Sequence, residues 1–189
     1  MFQLVQSIYW IALSAWLGGV IYVAMAAPVI FRTVRDADPT LPKVLSVNME
    51  GQHATLLAGT IVGDLLSMVL RVELICAGVV LLGLIAQCFF IDLRGDALVP
   101  AIVRFAAYLA AATLVIYQWR VTWPRIQKFR QEYIDHADEP DVANPAKEEF
   151  DRYQHETERV LLIRVFLLLG LIFFSSNLHA IATTFHFHQ

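Results

Sequence analysis

No Asp, Glu, Lys, Arg or His interrupts the run from Ser7 to Phe31, a stretch of 25 residues. As an α-helix it would be roughly 37 Å long, at about 1.5 Å per residue, and would cross a hydrocarbon core of about 30 Å with some tilt. In lipid, a backbone this apolar can satisfy its N–H and C=O groups only within its own helical hydrogen bonds. Tyr9 and Trp10 near one end and Arg32 and Arg35 beyond the other are interface anchors. The pattern predicts a first transmembrane span over about 7–31. Ala24-Met25-Ala26 has the form of a cleavage site, but no Lys or Arg precedes the run and it is long for a signal sequence, so the span is expected to be retained.

Three further apolar stretches follow. Leu74–Ile91 has 18 residues without a charge, and the residues before it are strongly apolar despite Asp64, Arg71 and Glu73. No Gly, Pro or Asn stands at Arg71-Val72-Glu73 to make a turn, so one long helix is predicted, with about 66–91 in the membrane. Asp92-Leu93-Arg94-Gly95-Asp96 reads as a tight turn before a third span over about 98–119. Pro124–Ile134 has the pattern of a basic amphipathic helix, with Ile126, Phe129, Tyr133 and Ile134 on one side and Arg125 and Lys128 on the other. Asp135–Ala143 reads as an acidic loop. Asn144-Pro145 then offers an N-cap and a proline at N1 for a helix running to about Phe187, with the fourth span over about 160–187. The polar connections are 32–53 and 120–159, the first holding Pro39 and Pro42. The predicted fold is all-α, a four-transmembrane-helix bundle in one domain, with cytoplasmic extensions of helices 2, 3 and 4.

Composition agrees, since 58% of the residues are hydrophobic and 16% charged, against about a quarter charged in soluble domains. The charge distribution sets the orientation. Ten Lys and Arg residues fall in the two long connections, Arg94 stands alone in the short one, and neither terminal tail has any. By the positive-inside rule the long connections are cytoplasmic and both termini lie outside, as in a multi-pass protein of a bacterial inner membrane. No basic arm or basic–aromatic pattern points to nucleic acid. Cys76 and Cys88, twelve residues apart on one helix, are about 18 Å apart along its axis and cannot bond to each other. Both read as buried apolar thiols.

Candidate chemistry is sparse. Arg71, Glu73, Arg120 and Arg164 fall at one depth near the cytoplasmic membrane edge, and Asp64 lies two turns before Arg71. Glu73 is expected to neutralise an arginine on a neighbouring helix, Arg164 first and Arg120 second. Such charges either mark a transport pathway or fix helix register, and their place near an interface favours the second role. His179 and His186 share a helix face but are about 10 Å apart along it, too far for one metal ion. His188 and His186 point to different sides of a helix. No metal, haem or other cofactor is expected within one chain, and ligation shared between chains stays open. No G-x-S-x-G, H-E-x-x-H, phosphate-binding loop or C-x-x-C is present, so no catalytic residue is assigned.

Small residues suggest close helix contacts: Ser14, Ala15, Gly18 and Gly19 in the first span, Gly59 and Gly63 in the second, and Ala106/Ala110 and Ala107/Ala111 in the third. They occupy more faces than four helices obviously need. The expected partners are therefore the lipid bilayer and either a second copy of the chain or other membrane subunits.

Trp16-Leu17-Gly18-Gly19 is followed by Ala27-Pro28 and Phe31, then Ala58-Gly59 with Gly63, Trp123-Pro124-Arg125, and Phe150-Asp151-Arg152-Tyr153. In this order, over most of the chain, the set resembles the transmembrane protein 205-like family. The resemblance implies a four-span topology and no established reaction. The family pattern has a His directly after the position of Tyr153, with a Ser and an Asn further on; here Gln154, Thr157 and Leu161 stand there, and His155 comes one residue later. The expected function is a non-enzymatic subunit or scaffold of a membrane complex. A small transporter using the charged cluster and a metal- or haem-binding redox protein are the alternatives.

Overall fold

The computed structural model describes residues 2–37, 53–89, 98–136 and 139–186, the last of these by backbone alone beyond Ser176. Five α-helices and one π-helical turn, Gln118–Thr122, make up nearly all of these residues: α1 Phe2–Ala37, α2 His53–Cys88, α3 Leu98–Tyr117, α4 Trp123–Asp135 and α5 Pro140–His186. Four helical stretches are long and apolar enough to cross a membrane: Gln3–Ala37, His53–Cys88, Leu98–Asp135 and Pro140–Ser176. The chain is a multi-pass all-α membrane protein. The expected turn at Asp92–Asp96 and the connection with Pro39 and Pro42 lie outside the described residues.

α2 is unbroken through Arg71-Val72-Glu73, as the missing turn residues require. Two boundaries depart from the sequence pattern. α5 starts at Pro140, not at Asn144-Pro145. The backbone N–H groups of Val142 and Ala143 already bond to the Glu139 carbonyl, at 3.0 and 2.9 Å. Pro140 supplies the proline-first start, and Pro145 is carried in the second turn at the loss of one hydrogen bond. The acidic stretch is thereby shortened, with helix resuming at Pro140 instead of after Ala143.

The second departure is at Pro124. Instead of opening a separate helix, it lies in a continuous path from α3 through a π-helical turn, Gln118–Thr122, into α4. Proline cannot donate to the carbonyl four residues back, and its ring crowds that carbonyl. The wider π turn accommodates this, and the Trp123 N–H bonds to Gln118 O, five residues back.

The helices contribute to two compact units. The first unit comprises 1–20, 71–116 and 162–189. Its buried positions recur at alternating three- and four-residue steps: Tyr9, Leu13, Trp16 and Val20 on α1, Ala101, Arg104, Tyr108, Ala111 and Val115 on α3, and Arg164, Leu168, Leu171 and Ser175 on α5. α2 adds Glu73, Ala77, Val80, Leu84 and Gln87. This average of 3.5 residues is the repeat of left-handed helix packing. Large apolar residues such as Ile11, Ile75, Leu82, Ile102 and Phe166 are exposed, as lipid-facing side chains are. Cys88, next to Gln87, falls off the inward stripe and is exposed, whereas Cys76 is buried; both thiols are free. The expectation that both are buried fails at Cys88 for that reason.

The second unit comprises 21–70 and 117–161. Leu56, Tyr133, Ala143 and Ala146 form its apolar cluster, with Ile134 packed against it. Gly63 admits Trp123: a Cβ there would lie 3.1 Å from the Trp123 ring. Phe129 stacks on Tyr153 with ring centroids 5.8 Å apart. Arg125 Nη1 donates to the Tyr153 hydroxyl at 2.7 Å.

Candidate functional site

The interior of the first unit carries two groups of polar side chains. In one, Arg164 on α5 forms an ion pair with Glu73 on α2, their side chains 0% and 1% exposed. The Trp16 indole N–H from α1 acts on the same carboxylate, although neither it nor Glu73 Oε1 reaches full hydrogen-bond geometry. Tyr108 on α3 packs edge-on to Trp16, with centroids 6.2 Å apart. Its hydroxyl donates to the Ala77 carbonyl at 3.0 Å. Side chains of α1, α2, α3 and α5 therefore gather around one ion pair. Two charges withdrawn from water need mutual pairing to be tolerated at all.

The other group joins Gln6, Tyr9, Gln87, Arg104 and Ser175. Arg104 Nη2 donates to Gln87 Oε1, and Gln87 Nε2 donates to Gln6 Oε1 at 2.9 Å. The Arg104 guanidinium lies over the Tyr9 ring, 5.8 Å from its centroid. Ser175 spends its single proton on the Leu171 carbonyl at 2.6 Å. The 2.6 Å contact between the Tyr9 and Ser175 hydroxyls therefore has Tyr9 as donor. Gly83 is the reason Tyr9 can lie so close to α2. A Cβ at that position would come 2.9 Å from Tyr9 Cδ2 and 3.1 Å from Tyr9 Cβ.

Of the five charges expected together, the structure joins Glu73 and Arg164. Arg71, Asp64 and Arg120 are exposed, and Arg120 lies over the Trp119 ring at 4.7 Å. In the second unit Asp64 acts instead on Arg130. Arg130 donates to the Thr60 hydroxyl and, at 3.5 Å, to the Leu56 carbonyl. Beside it is a cavity of about 40 Å³ between Gly59, Tyr133, Lys147 and Phe150, room for about one water.

The small-residue faces divide. Ala111 is buried and Ala107 half-buried, while Ala106 and Ala110 are exposed. Gly63 is filled by Trp123, and Gly59 faces open space. On α1, Ser14, Ala15 and Gly18 are exposed and Gly19 half-buried. A Cβ on Gly18 would meet nothing within 4 Å. The side chains of His179, His186 and His188 lie outside the described residues. Among the described residues no three His, Cys, Asp or Glu side chains gather as a metal site.

Arg104, Gln87 and Gly83 carry much of this interior and were not legible as such. A single Arg and a single Gln inside otherwise apolar spans were the available signal. No family model matches the chain, and neither a curated protein nor a solved structure matches it.

Proposed function

We propose that the chain is a non-enzymatic membrane subunit or scaffold that binds another membrane protein, a second copy of itself included, through the outward small-residue face of α1. One observation carries the reading. Gly63 and Ala111 are used within the chain, whereas Ser14, Ala15 and Gly18 are turned outward with open space beyond Gly18. In lipid, helices associate where small residues let backbones approach, not by burial of apolar surface from water. On this reading Gly18→Leu abolishes association measured by single-molecule photobleaching in bilayers, yet leaves insertion and helix content unchanged. Association at the wild-type level in that variant would remove α1 from the interface.

The proposal places the chain in a bacterial inner membrane with both termini outside the cytoplasm, and takes it as transmembrane protein 205-like on its ordered motifs. Ten Lys and Arg in the long connections against one in the short connection support the orientation. Cysteines placed at the exposed positions Gln3 and Gln131 should be labelled from opposite sides of intact cells. Labelling of both from one side would contradict the topology.

A second reading, a small transporter, is favoured by the buried Glu73–Arg164 pair, since ionisable groups inside membrane segments often line ion pathways. Ion flux through proteoliposomes that is lost in Glu73→Gln would put this reading first; no flux in the wild-type protein would eliminate it.

A further inference from the structure

We infer that Arg104, Gln87 and Gln6 form a binding site for an oxyanion, a phosphate or a carboxylate group. The inference is independent of the subunit reading. Arg104 is 4% exposed and Gln87 3%. Arg164, equally deep, has the Glu73 carboxylate, but among the described residues no carboxylate pairs with Arg104. Its partners are a neutral amide oxygen and an aromatic face. Neither cancels a full charge withdrawn from water.

The hydrogen-bond directions sharpen the chemistry. Gln87 Oε1 accepts from Arg104, which turns the Gln87 amide nitrogen toward Gln6 Oε1. The two amide oxygens are therefore both engaged as acceptors. Donors are left over: Arg104 Nε is buried with no acceptor, and the Gln6 amide nitrogen, at the half-buried edge, has none among the described residues. A cluster with net positive charge, engaged amide oxygens and spare N–H groups complements an anion rich in acceptor oxygens. The planar guanidinium matches the geometry of phosphate and carboxylate.

The cluster also lies where such groups are found. Arg104 is six residues into α3, Gln87 next to the last residue of α2, and Gln6 four residues into α1. Six residues of helix is about 9 Å, so the site is close to helix ends, within reach of a lipid headgroup or a dissolved anion. The two sources share one chemistry.

The test is thermal unfolding of the full-length protein, washed free of copurified lipid in a mild non-ionic detergent. It is titrated separately with sodium phosphate, at ionic strength matched with sodium chloride, and with phosphatidylglycerol. The wild-type midpoint should rise steadily with the logarithm of ligand concentration. Arg104→Gln should lose that response while keeping an unliganded midpoint at or above that of the wild type, because it removes an uncompensated buried charge. A response to phosphate and to lipid identifies a site open to dissolved anions; a response to lipid alone identifies a headgroup site. No wild-type response to either, or equal responses in wild type and Arg104→Gln, would overturn the site. If Arg104→Gln does not fold, Gln6→Ala gives the same reading: an apparent affinity at least about threefold weaker supports the site, and an unchanged affinity overturns it.

Discussion

Glu73→Gln should lower the stability of the folded bundle by about 3–5 kcal/mol, because it leaves the Arg164 guanidinium without the carboxylate it faces. Both side chains are at most 1% exposed, so water cannot take over the lost partner. Arg164→Gln alone should cost a comparable amount by stranding Glu73. Combining them should cost well under the sum, since the double variant has no unpaired charge to bury. Unfolding in mixed micelles, followed by circular dichroism for the wild type, the two single variants and the double variant, measures the coupling. Additive losses would show that the two residues do not stabilise each other.

Gly83→Leu should be nearly as damaging, by a steric route. Even the first added carbon would lie 2.9 Å from Tyr9 Cδ2 and 3.1 Å from Tyr9 Cβ. The crowded atoms are at the root of the ring, not at a free end. Tyr9 cannot easily turn away, because it is fully buried and its hydroxyl is held by Ser175. Overpacking of this kind costs about 1–3 kcal/mol, occasionally more, and a leucine adds three further carbons. Gly18→Leu is the internal comparison, since a Cβ at Gly18 meets nothing within 4 Å. Thermal midpoints in the same detergent should fall by many degrees for Gly83→Leu and stay within about two degrees for Gly18→Leu. Equal midpoints would mean that α1 and α2 do not approach each other at Gly83.

The contrast between the two glycines shows what the sequence could and could not reveal. Both stand in long apolar runs, and small-residue spacing singles out Gly18 more readily than Gly83. Only the packing separates a glycine that admits a ring from one that faces outward. The spans themselves were legible because lipid and protein interior both demand apolar side chains. For the same reason the inward face was not: a helix apolar on all sides has no hydrophobic stripe to read. What marks that face is the polar residues, at multiples of seven: Tyr9 and Trp16, Glu73 and Gln87, Arg104 and Gln118, Thr157 and Arg164, all buried. Glu73 and Arg164 were legible as partners because their spans set them at one depth. Arg104 is set apart by packing, which encloses it with Gln87 and Tyr9. Proline was ambiguous for a local reason. Pro124 and Pro145 each suit the first turn of a helix, yet one follows a π turn within a continuous path and the other sits in a second turn.

The claim that this polar interior locks a bundle whose α1 face is left for a partner is tested most directly by the mass of the wild-type assembly. Native mass spectrometry of complexes released from intact membrane vesicles should give a species heavier than one 21.3 kDa chain, either a multiple of that mass or that mass plus a second membrane protein. A single bare chain, under conditions that preserve known membrane oligomers, would contradict it.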